Sequence, residues 1–482
     1  MKIKIVFGIQ SIICLIVTIA MIFPLITALC YGSNDVKAFL IAIAVGLICS
    51  VILFVPVFFS KKKFKHTIGI REGVGVTGFS WIIASAVGAL PHYFAGTGNS
   101  YADAFFETMS GFTTTGATIM TDIENAPQGI LLWRSLTHWM GGMGIIVLSL
   151  AVLPFLGLRG IELYKAEVPG VTAEKLTPRL QQTAMRLWIM YVALTLTETI
   201  FLFIGGMNLF DAFSHSCSTI ATGGFSTKNS SIAYFQSSYI EWVIIIFMFA
   251  SGINFSLYFL LGAKKFRDFF QDEELKLYAL IIFIAVAAIS ISLYFSGYDF
   301  EIRSVIFHVV SVITTTGFIT RDYNLWPEFA KCIFLIIMFI GASGGSTGGG
   351  FKVSRVIILF RQLGVSIKRL LHPRAVIVPR FNGNVIQQST LDSATAFFIL
   401  YMFILMFGTL ITSAFGVEIL TSFSGILTCL SNVGPGLNSL GPVENFSHLP
   451  DAVKWIFSFC MLAGRLELFA VVLLIMPGTY KK

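Results

Sequence analysis

Four glycines close four copies of one short signature. Thr113-Thr114-Thr115-Gly116 returns letter for letter as Thr314-Thr315-Thr316-Gly317, and weaker copies stand at Ile220-Ala221-Thr222-Gly223 and Ser431-Asn432-Val433-Gly434. The successive glycines are 107, 94 and 117 residues apart. Each signature ends a short, mildly apolar segment and is followed by a polar stretch and then a long apolar run. A repeat at this spacing constrains the architecture before any other feature is weighed. The fold must contain one unit four times and bring four equivalent loops to equivalent places.

Composition says where that unit lives. Of 482 residues, 56% are hydrophobic and 12% charged, with a mean hydropathy of +0.83. Water-soluble domains carry about a quarter charged residues. The chain therefore reads as an all-α polytopic membrane protein. Its net charge of +8 sits in short loops between apolar runs, which points to membrane lipid as a partner and away from nucleic acid. The seven cysteines are scattered, without a Cys-x-x-Cys pair or a Cys/His cluster at ligand spacing, so neither disulfides nor structural zinc are expected.

Five units follow from the hydropathy pattern. Residues 1–70 form a helix pair (5–31 and 38–60) without a signature loop. Residues 71–180 are the first copy, with spans at 73–96 and 131–158 and a short segment at 99–112. Residues 181–272 are the second, with spans 187–206 and 239–263 around 208–219. Residues 273–385 are the third, with 277–297, 300–313 and 332–351. Residues 386–482 are the fourth, with 393–416, 419–430 and 453–477. Of 33 Lys and Arg, 25 fall in the termini and the four loops assigned to one side, and seven fall on the other. The positive-inside bias puts both termini in the cytoplasm. An even number of crossings per copy then makes the short segments re-entrant, giving ten full spans.

Irregular backbone at membrane depth survives only where protein or water satisfies it. A loop after a half-helix meets that condition if its carbonyls coordinate ions. The closing glycine permits positive φ, so successive carbonyls face one side. Threonine adds an oxygen without charge. Four such loops converging on one axis would line a cation path, as rings of carbonyls do in cation filters.

On these residues the chain resembles the Trk/Ktr/HKT potassium uptake superfamily, and its TrkH-type membrane subunits in particular. The resemblance rests on Thr113–Thr118, Ala221–Ser226, Thr314–Ile319 and Asn432–Leu437. To these it adds Gly344–Lys352 (Gly-Gly-Ser-Thr-Gly-Gly-Gly-Phe-Lys) and Gly464-Arg465-Leu466-Glu467, and it covers essentially the whole chain. It implies four span–pore-helix–span units around one pseudo-fourfold K+ path, with Gly116, Gly223, Gly317 and Gly434 as filter glycines. K+ would be coordinated at the four signatures, in the membrane of a bacterial cell. The resemblance also implies a homodimer and a cytoplasmic nucleotide-binding regulatory subunit of the TrkA or Ktr type.

Two further stretches carry expectations. Residues 341–350 hold six glycines in ten, each costing about 1 kcal/mol in a helix relative to alanine, so the run should break the third copy's second span. The resemblance makes Gly344, Gly345, Ser346, Thr347, Gly348, Gly349 and Gly350 the gate on the cytoplasmic side. The other reading is a close helix contact through small residues. Arg465 stands in the last span, where an arginine costs about 2.5–3.5 kcal/mol on insertion scales and must face the interior or a partner. The resemblance puts it in the pore beneath the filter. The alternative is an ion pair with an acid on another helix, Glu198 being one such acid. Lys352 either supports the gate or snorkels to the interface. Glu107 and His308, each nine residues before its glycine, are satisfied interior groups or pore-helix anchors. Asp103 and Asp211 should cap their short helices.

The glycine run is no phosphate loop, since it lacks a preceding strand and the closing Lys-Ser/Thr. With no triad-like cluster, no enzymatic activity and no organic cofactor are expected. The function reads as gated K+ uptake, with a K+ symporter coupled to Na+ or H+ as the alternative.

Overall fold

The computed structural model describes residues 3–58, 70–144, 180–375 and 377–476. The basic residues Lys2, Lys61, Lys62, Lys63, Lys65, Arg159, Lys165, Lys175, Arg179, Lys481 and Lys482, and residues 145–158 of the first copy's second span, lie outside the described residues. The chain is mostly helical. The only strands among the described residues form a two-residue antiparallel ladder, Arg380–Phe381 with Asn384–Val385, closed by Asn382-Gly383.

Five described helices are long and apolar enough to cross a bilayer: Val6–Tyr31, Val36–Pro56, Ala184–Ile204, Glu273–Phe295 and Gln388–Ala414. Their outward faces are apolar. On Glu273–Phe295, Phe283 is 71% and Phe295 83% exposed, whereas Tyr278, Ile289 and Leu293 of the opposite face are fully buried. In water such a surface would be an association site; in lipid it is simply the solvated face.

The short segments form where the sequence places them: Tyr101–Phe112, Leu209–Ile220, Ile302–Ile313 and Ile419–Ser431. Each follows a long first helix, except in the first copy, where 73–96 is not one span but two helices, Ile70–Gly88 and Leu90–Ala95.

The second helices correct the sequence reading more deeply, because none is an unbroken span among the described residues. In the first copy the helix Gln128–Gly142 stops at Met143-Gly144. In the second, Ser238–Ser251 and Phe255–Gly262 meet at a bend of 91° across Gly252-Ile253-Asn254. The third runs Glu328–Ile340, leaves helical geometry over 341–352, and resumes as Val353–Leu371. The fourth runs Asp451–Arg465 and resumes as Phe469–Ile475, with Glu467 (φ 58°) and Leu468 (φ 47°) between. In the first and fourth copies the second helix presses a glycine onto the end of the short helix, so that a methyl group on Gly141 would strike the Phe112 carbonyl and one on Gly464 the Leu430 carbonyl.

Candidate functional site

The site is assembled from the C-terminal ends of the four short helices. Their N-termini are held first. Ser100 Oγ accepts from the Asp103 amide at 3.3 Å, and Asn208 Oδ1 from the Asp211 amide at 2.7 Å. Serine and asparagine are thus the caps, which corrects the assignment to Asp103 and Asp211. The aspartates stand three residues on and reach elsewhere. Asp103 accepts from the Asn99 amide and pairs with buried Lys454 of the fourth copy. Asp211 accepts from Thr227 Oγ1 at 2.6 Å.

At the other ends the backbone repeats one unusual pattern. Thr114, Thr222, Thr315 and Asn432 have φ of 53°, 56°, 60° and 56°. Two residues on, Gly116, Gly224, Gly317 and Gly434 have φ of 82°, 81°, 81° and 103°. Left-handed residues at alternate positions turn successive carbonyls toward one side. The pattern moves the second copy by one residue. Its equivalent of Thr113–Gly116 is Ala221-Thr222-Gly223-Gly224, so Gly224 is the closing glycine, Gly223 matches Thr115, and Ile220 is the last residue of the helix. The glycine spacings become 108 (224 − 116), 93 (317 − 224) and 117 (434 − 317).

The four loops close on one another in chain order. A Cβ on Gly116 would strike the Gly223 carbonyl, one on Gly224 the Thr316 carbonyl, one on Gly317 the Val433 carbonyl, and one on Gly434 the Thr115 carbonyl. That is a cycle of four with backbone oxygens from every copy. Gly116, Gly224, Gly317 and Gly434 together line one cavity of about 130 Å³.

Side chains brace the ring unequally. In copies one and three, which lie across from each other, hydroxyls pair within the loop: Thr113 with Thr115 and Thr314 with Thr316, both at 2.8 Å. Copies two and four lack those threonines. There Thr222 Oγ1 donates to the Ala221 carbonyl at 2.6 Å, Ser431 Oγ pairs with Tyr401 OH at 2.6 Å, and Asn432 Nδ2 donates to Thr115 Oγ1 and the Met461 carbonyl, both at 3.0 Å. Thr114 Oγ1 and Asn432 Oδ1 have no hydrogen-bond partner among the described residues.

The corrected register reveals an equivalence that the letters hide. Nine residues before the ring glycines of the first three copies stand Glu107, His215 and His308, all buried, and each holds the loop after its glycine. Glu107 accepts from Thr118 Oγ1 and the Ile119 amide (2.8 Å). His215 and His308 each present Nδ1 to the carbonyl four residues back, Asp211 and Ser304, at 2.7 Å. That bond puts the proton on Nδ1 and leaves Nε2 to accept, from Ser226 Oγ at 2.9 Å in one case and from the Thr320 and Arg321 amides at 3.3 Å in the other. Both readings of Glu107 and His308, interior group and anchor, are therefore one. In the fourth copy Gly425 leaves room for Leu440 and Phe457, and Ser424 Oγ accepts from the Leu437 amide instead. His308→Ala removes the acceptor of two part-buried amides and empties a fully buried side-chain site, a loss of about 1–3 kcal/mol. The expected result is a clear fall in the thermal midpoint in detergent, while a variant at lipid-exposed Phe295 melts with wild type.

Directly beneath the ring lies the 341–352 loop. Gly349 N donates to Thr315 Oγ1 at 2.7 Å, and Thr347 Oγ1 donates to the Ile220 carbonyl at 3.0 Å and the Ser251 carbonyl at 3.3 Å. Ser346 Oγ donates to the Ser343 carbonyl, Gly345 O accepts from the Phe255 amide, and the Ser343 amide donates to Gly252 O, so the loop interlocks with the bend of the second copy. Lys352, at φ 81°, is buried and donates from Nζ to the Gly348 carbonyl, which is support rather than snorkelling. Arg465 donates to the Thr347 carbonyl (2.8 Å) and to the Gly141 and Gly142 carbonyls (2.6 and 3.2 Å). Glu198 is not its partner: both carboxylate oxygens lack a hydrogen bond among the described residues. Glu467 pairs instead with Arg355, whose guanidinium lies 4.0 Å above the Phe397 ring. A second cavity of about 130 Å³ opens below, lined by Trp81, the 345–350 loop, Lys352, Arg465 and Glu467.

The geometry has counterparts. The family model described as "TrkH: Cation transport protein" matches residues 40–478. The chain is 38% identical over 469 residues to the Trk system potassium uptake protein TrkH of Escherichia coli (strain K12), covering 96% of each. It is 35% identical over 492 residues to the protein of that name from Halomonas elongata, covering all of both. The crystal structure of the potassium transporter TrkH from Vibrio parahaemolyticus superposes with a TM-score of 0.88 at 33% identity, across the full length of both chains. The chain belongs to the TrkH family of cation transport proteins.

Proposed function

We propose that this chain takes up K+ across the membrane through a single gated, channel-like pore. The observation that carries the reading is the closed cycle of four loops, with carbonyls from every copy and one open cavity on each side. The filter is formed by Thr113–Gly116, Ala221–Gly224, Thr314–Gly317 and Ser431–Gly434, the positive φ at Thr222 and Gly224 supporting Ala221–Gly224 over Ile220–Gly223. K+ leaves its water at the outer cavity and takes carbonyl and hydroxyl oxygens in exchange, a substitution that costs the ion little only where the ligands are held at the right spacing and field. Gly344–Gly350 is the gate. It lies across the inner end of the ring, hydrogen-bonded to two of the four loops or their helices and held from below by Lys352 and Arg465. The guanidinium serves twice: its N–H groups tie the loop, and its charge raises the energy of a cation directly beneath the filter.

The relatives named as parts of a Trk system support a complex with further components. In this reading the chain sits in the bacterial inner membrane with both termini in the cytoplasm. It pairs with a second copy and takes its gating signal from a nucleotide-binding subunit of the TrkA or Ktr type on the basic cytoplasmic face. The experiment is flux in liposomes under imposed gradients of K+, Rb+, Na+ and Li+. Passive flux following the K+ gradient alone, with K+ and Rb+ favoured, is the expected result. Uphill K+ entry driven by Na+ or H+ would make the chain a symporter and overturn the channel reading.

A further inference from the structure

The cytoplasmic linker enters the third copy through Asp272-Glu273-Glu274, and these three consecutive acids grip three different parts of the gate region. Glu274 is 5% exposed, and its Oε1 alone accepts from two amides: Gly344 N at 2.6 Å, in the 341–352 loop, and Ser354 N at 2.9 Å, just past its end. One carboxylate oxygen thus ties the start of the loop's apex to the first turn of the helix that follows it. Glu273 pairs through Oε2 with Arg361 at 2.7 Å, seven residues further along the helix that follows the loop. Asp272 caps its own helix by accepting from the Leu275 amide at 2.8 Å, and takes a second bond from Asn382 Nδ2 at 2.7 Å. Asn382 Oδ1 in turn accepts from the Glu273 amide at 2.8 Å. Asn382 is in the turn of the 380–385 hairpin, among residues that also carry exposed Arg380.

We propose that Glu274 is a positioning residue that holds the 341–352 loop across the pathway, and that Asp272-Glu273-Glu274 relays movements of the cytoplasmic hairpin and of helix Val353–Leu371 to that loop. The inference rests on the reading of the loop as a gate and adds how it is held and released. An oxygen that accepts two amide hydrogens ties both segments through one side chain. The ends of the loop are otherwise joined by backbone bonds, Phe351 N to Phe339 O, Lys352 N to Ile340 O and Val353 N to Ala342 O. Its base is therefore fixed and its apex, Gly344–Gly350, is the part left to swing. Glu274 is the side chain that reaches from outside the copy's second helix to that apex's first residue. A displacement of the hairpin or of Arg361 acts on the same three-residue step that carries Glu274, so a signal arriving on the cytoplasmic side needs no longer route to reach the gate.

The test is Rb+ flux into liposomes holding the full chain, with thermal midpoints measured on the same preparations. Glu274→Ala is expected to raise flux about tenfold or more with the K+/Na+ preference kept. Glu274→Asp, one methylene too short to reach both amides, rises in the same direction. Glu274→Gln, whose carbonyl oxygen still accepts both, stays within about threefold of wild type, a rescue that a loss of packing would not give. Asn382→Ala raises flux less than Glu274→Ala. Deleting Gly345–Gly349 separates the two levels of the argument. If the deletion leaves flux unchanged, the gate reading itself fails. If the deletion raises flux while Glu274→Ala and Glu274→Asp leave it at the wild-type level, the gate stands and the latch is wrong. If flux rises in Glu274→Ala but the K+/Na+ preference collapses, the variant has damaged the ring and the positioning role is overturned. No change in Asn382→Ala overturns the relay.

Discussion

Gly317→Ser lowers the K+/Na+ flux ratio in liposomes by about tenfold or more, and the protein carrying it still folds. The backbone at Gly317 has φ +81°, and an added Cβ would strike the Val433 carbonyl oxygen and approach Pro435 Cδ to 2.8 Å. Neither neighbour is the end of a flexible side chain, so the ring itself must give. Holding a non-glycine residue in the left-handed region costs about 1–2 kcal/mol, a sum that a fold stable by about 5–15 kcal/mol survives. The larger consequence is at the oxygens. Discrimination between two cations of equal charge depends on how many ligands reach the ion and how firmly they are placed, and a difference of ~1.4 kcal/mol between the two is tenfold. Gly297→Ser is the control. Its φ is +71° and nothing lies within 4 Å of the would-be Cβ, so it carries the same strain away from the ring. A Gly317→Ser protein that keeps the wild-type K+/Na+ ratio, or a Gly297→Ser protein that loses it equally, removes the carbonyl ring as the source of selectivity.

The part of this arrangement that hydropathy encodes was legible in the sequence. A segment too short to cross, ending in Thr-Thr-Thr-Gly and followed by a polar stretch, is a local pattern, and the four short helices lie within one or two residues of where it puts them. The second copy shows where letters fail. Matching Thr222-Gly223 to Thr115-Gly116 by identity is natural, yet the two glycines in a row offer two registers, and the one chosen is set by which glycine meets the Thr316 carbonyl. The spacing from His215 to Gly224, equal to those from Glu107 to Gly116 and His308 to Gly317, was the available signal. The broken second helices were hidden for a different reason. An apolar run reports that a segment sits in lipid, not that it is straight; the 91° bend in the second copy is marked only by Gly252 and Asn254 between Ser251 and Ser256. The closest partners of Arg134, Lys454 and Glu274 come from other copies or from distant turns of the same copy, and no spacing along the chain announces them.

Arg134 is the site where a single substitution is expected to cost the most stability. Its side chain is 2% exposed and that of Glu107 is fully buried, with Nε and Oε1 2.7 Å apart. The guanidinium also donates to the Ser226 carbonyl at 3.1 Å and to Thr118 Oγ1 at 3.2 Å, and its Cζ lies 4.1 Å from the Phe225 ring centroid. One side chain thereby joins the first short helix, the loop after the first ring glycine and the loop after the second. Replacing such a pair by apolar groups can be nearly neutral, but removing one member leaves a buried charge unmatched and costs about 3–5 kcal/mol. Arg134→Ala is therefore expected to lower the thermal midpoint in detergent sharply and to reduce the amount of protein recovered from the membrane. Glu107→Gln strands the guanidinium in turn, because its one oxygen can serve the Ile119 amide or Arg134 Nε but not both, and it falls as well. The double variant Glu107→Gln/Arg134→Met is more stable than Arg134→Ala, because no carboxylate is left stranded and the methionine fills part of the space. That ordering separates an unmatched charge from a simple cavity. A cavity predicts that Arg134→Met alone recovers most of the loss, whereas an unmatched carboxylate predicts that it does not until Glu107 is neutralised as well.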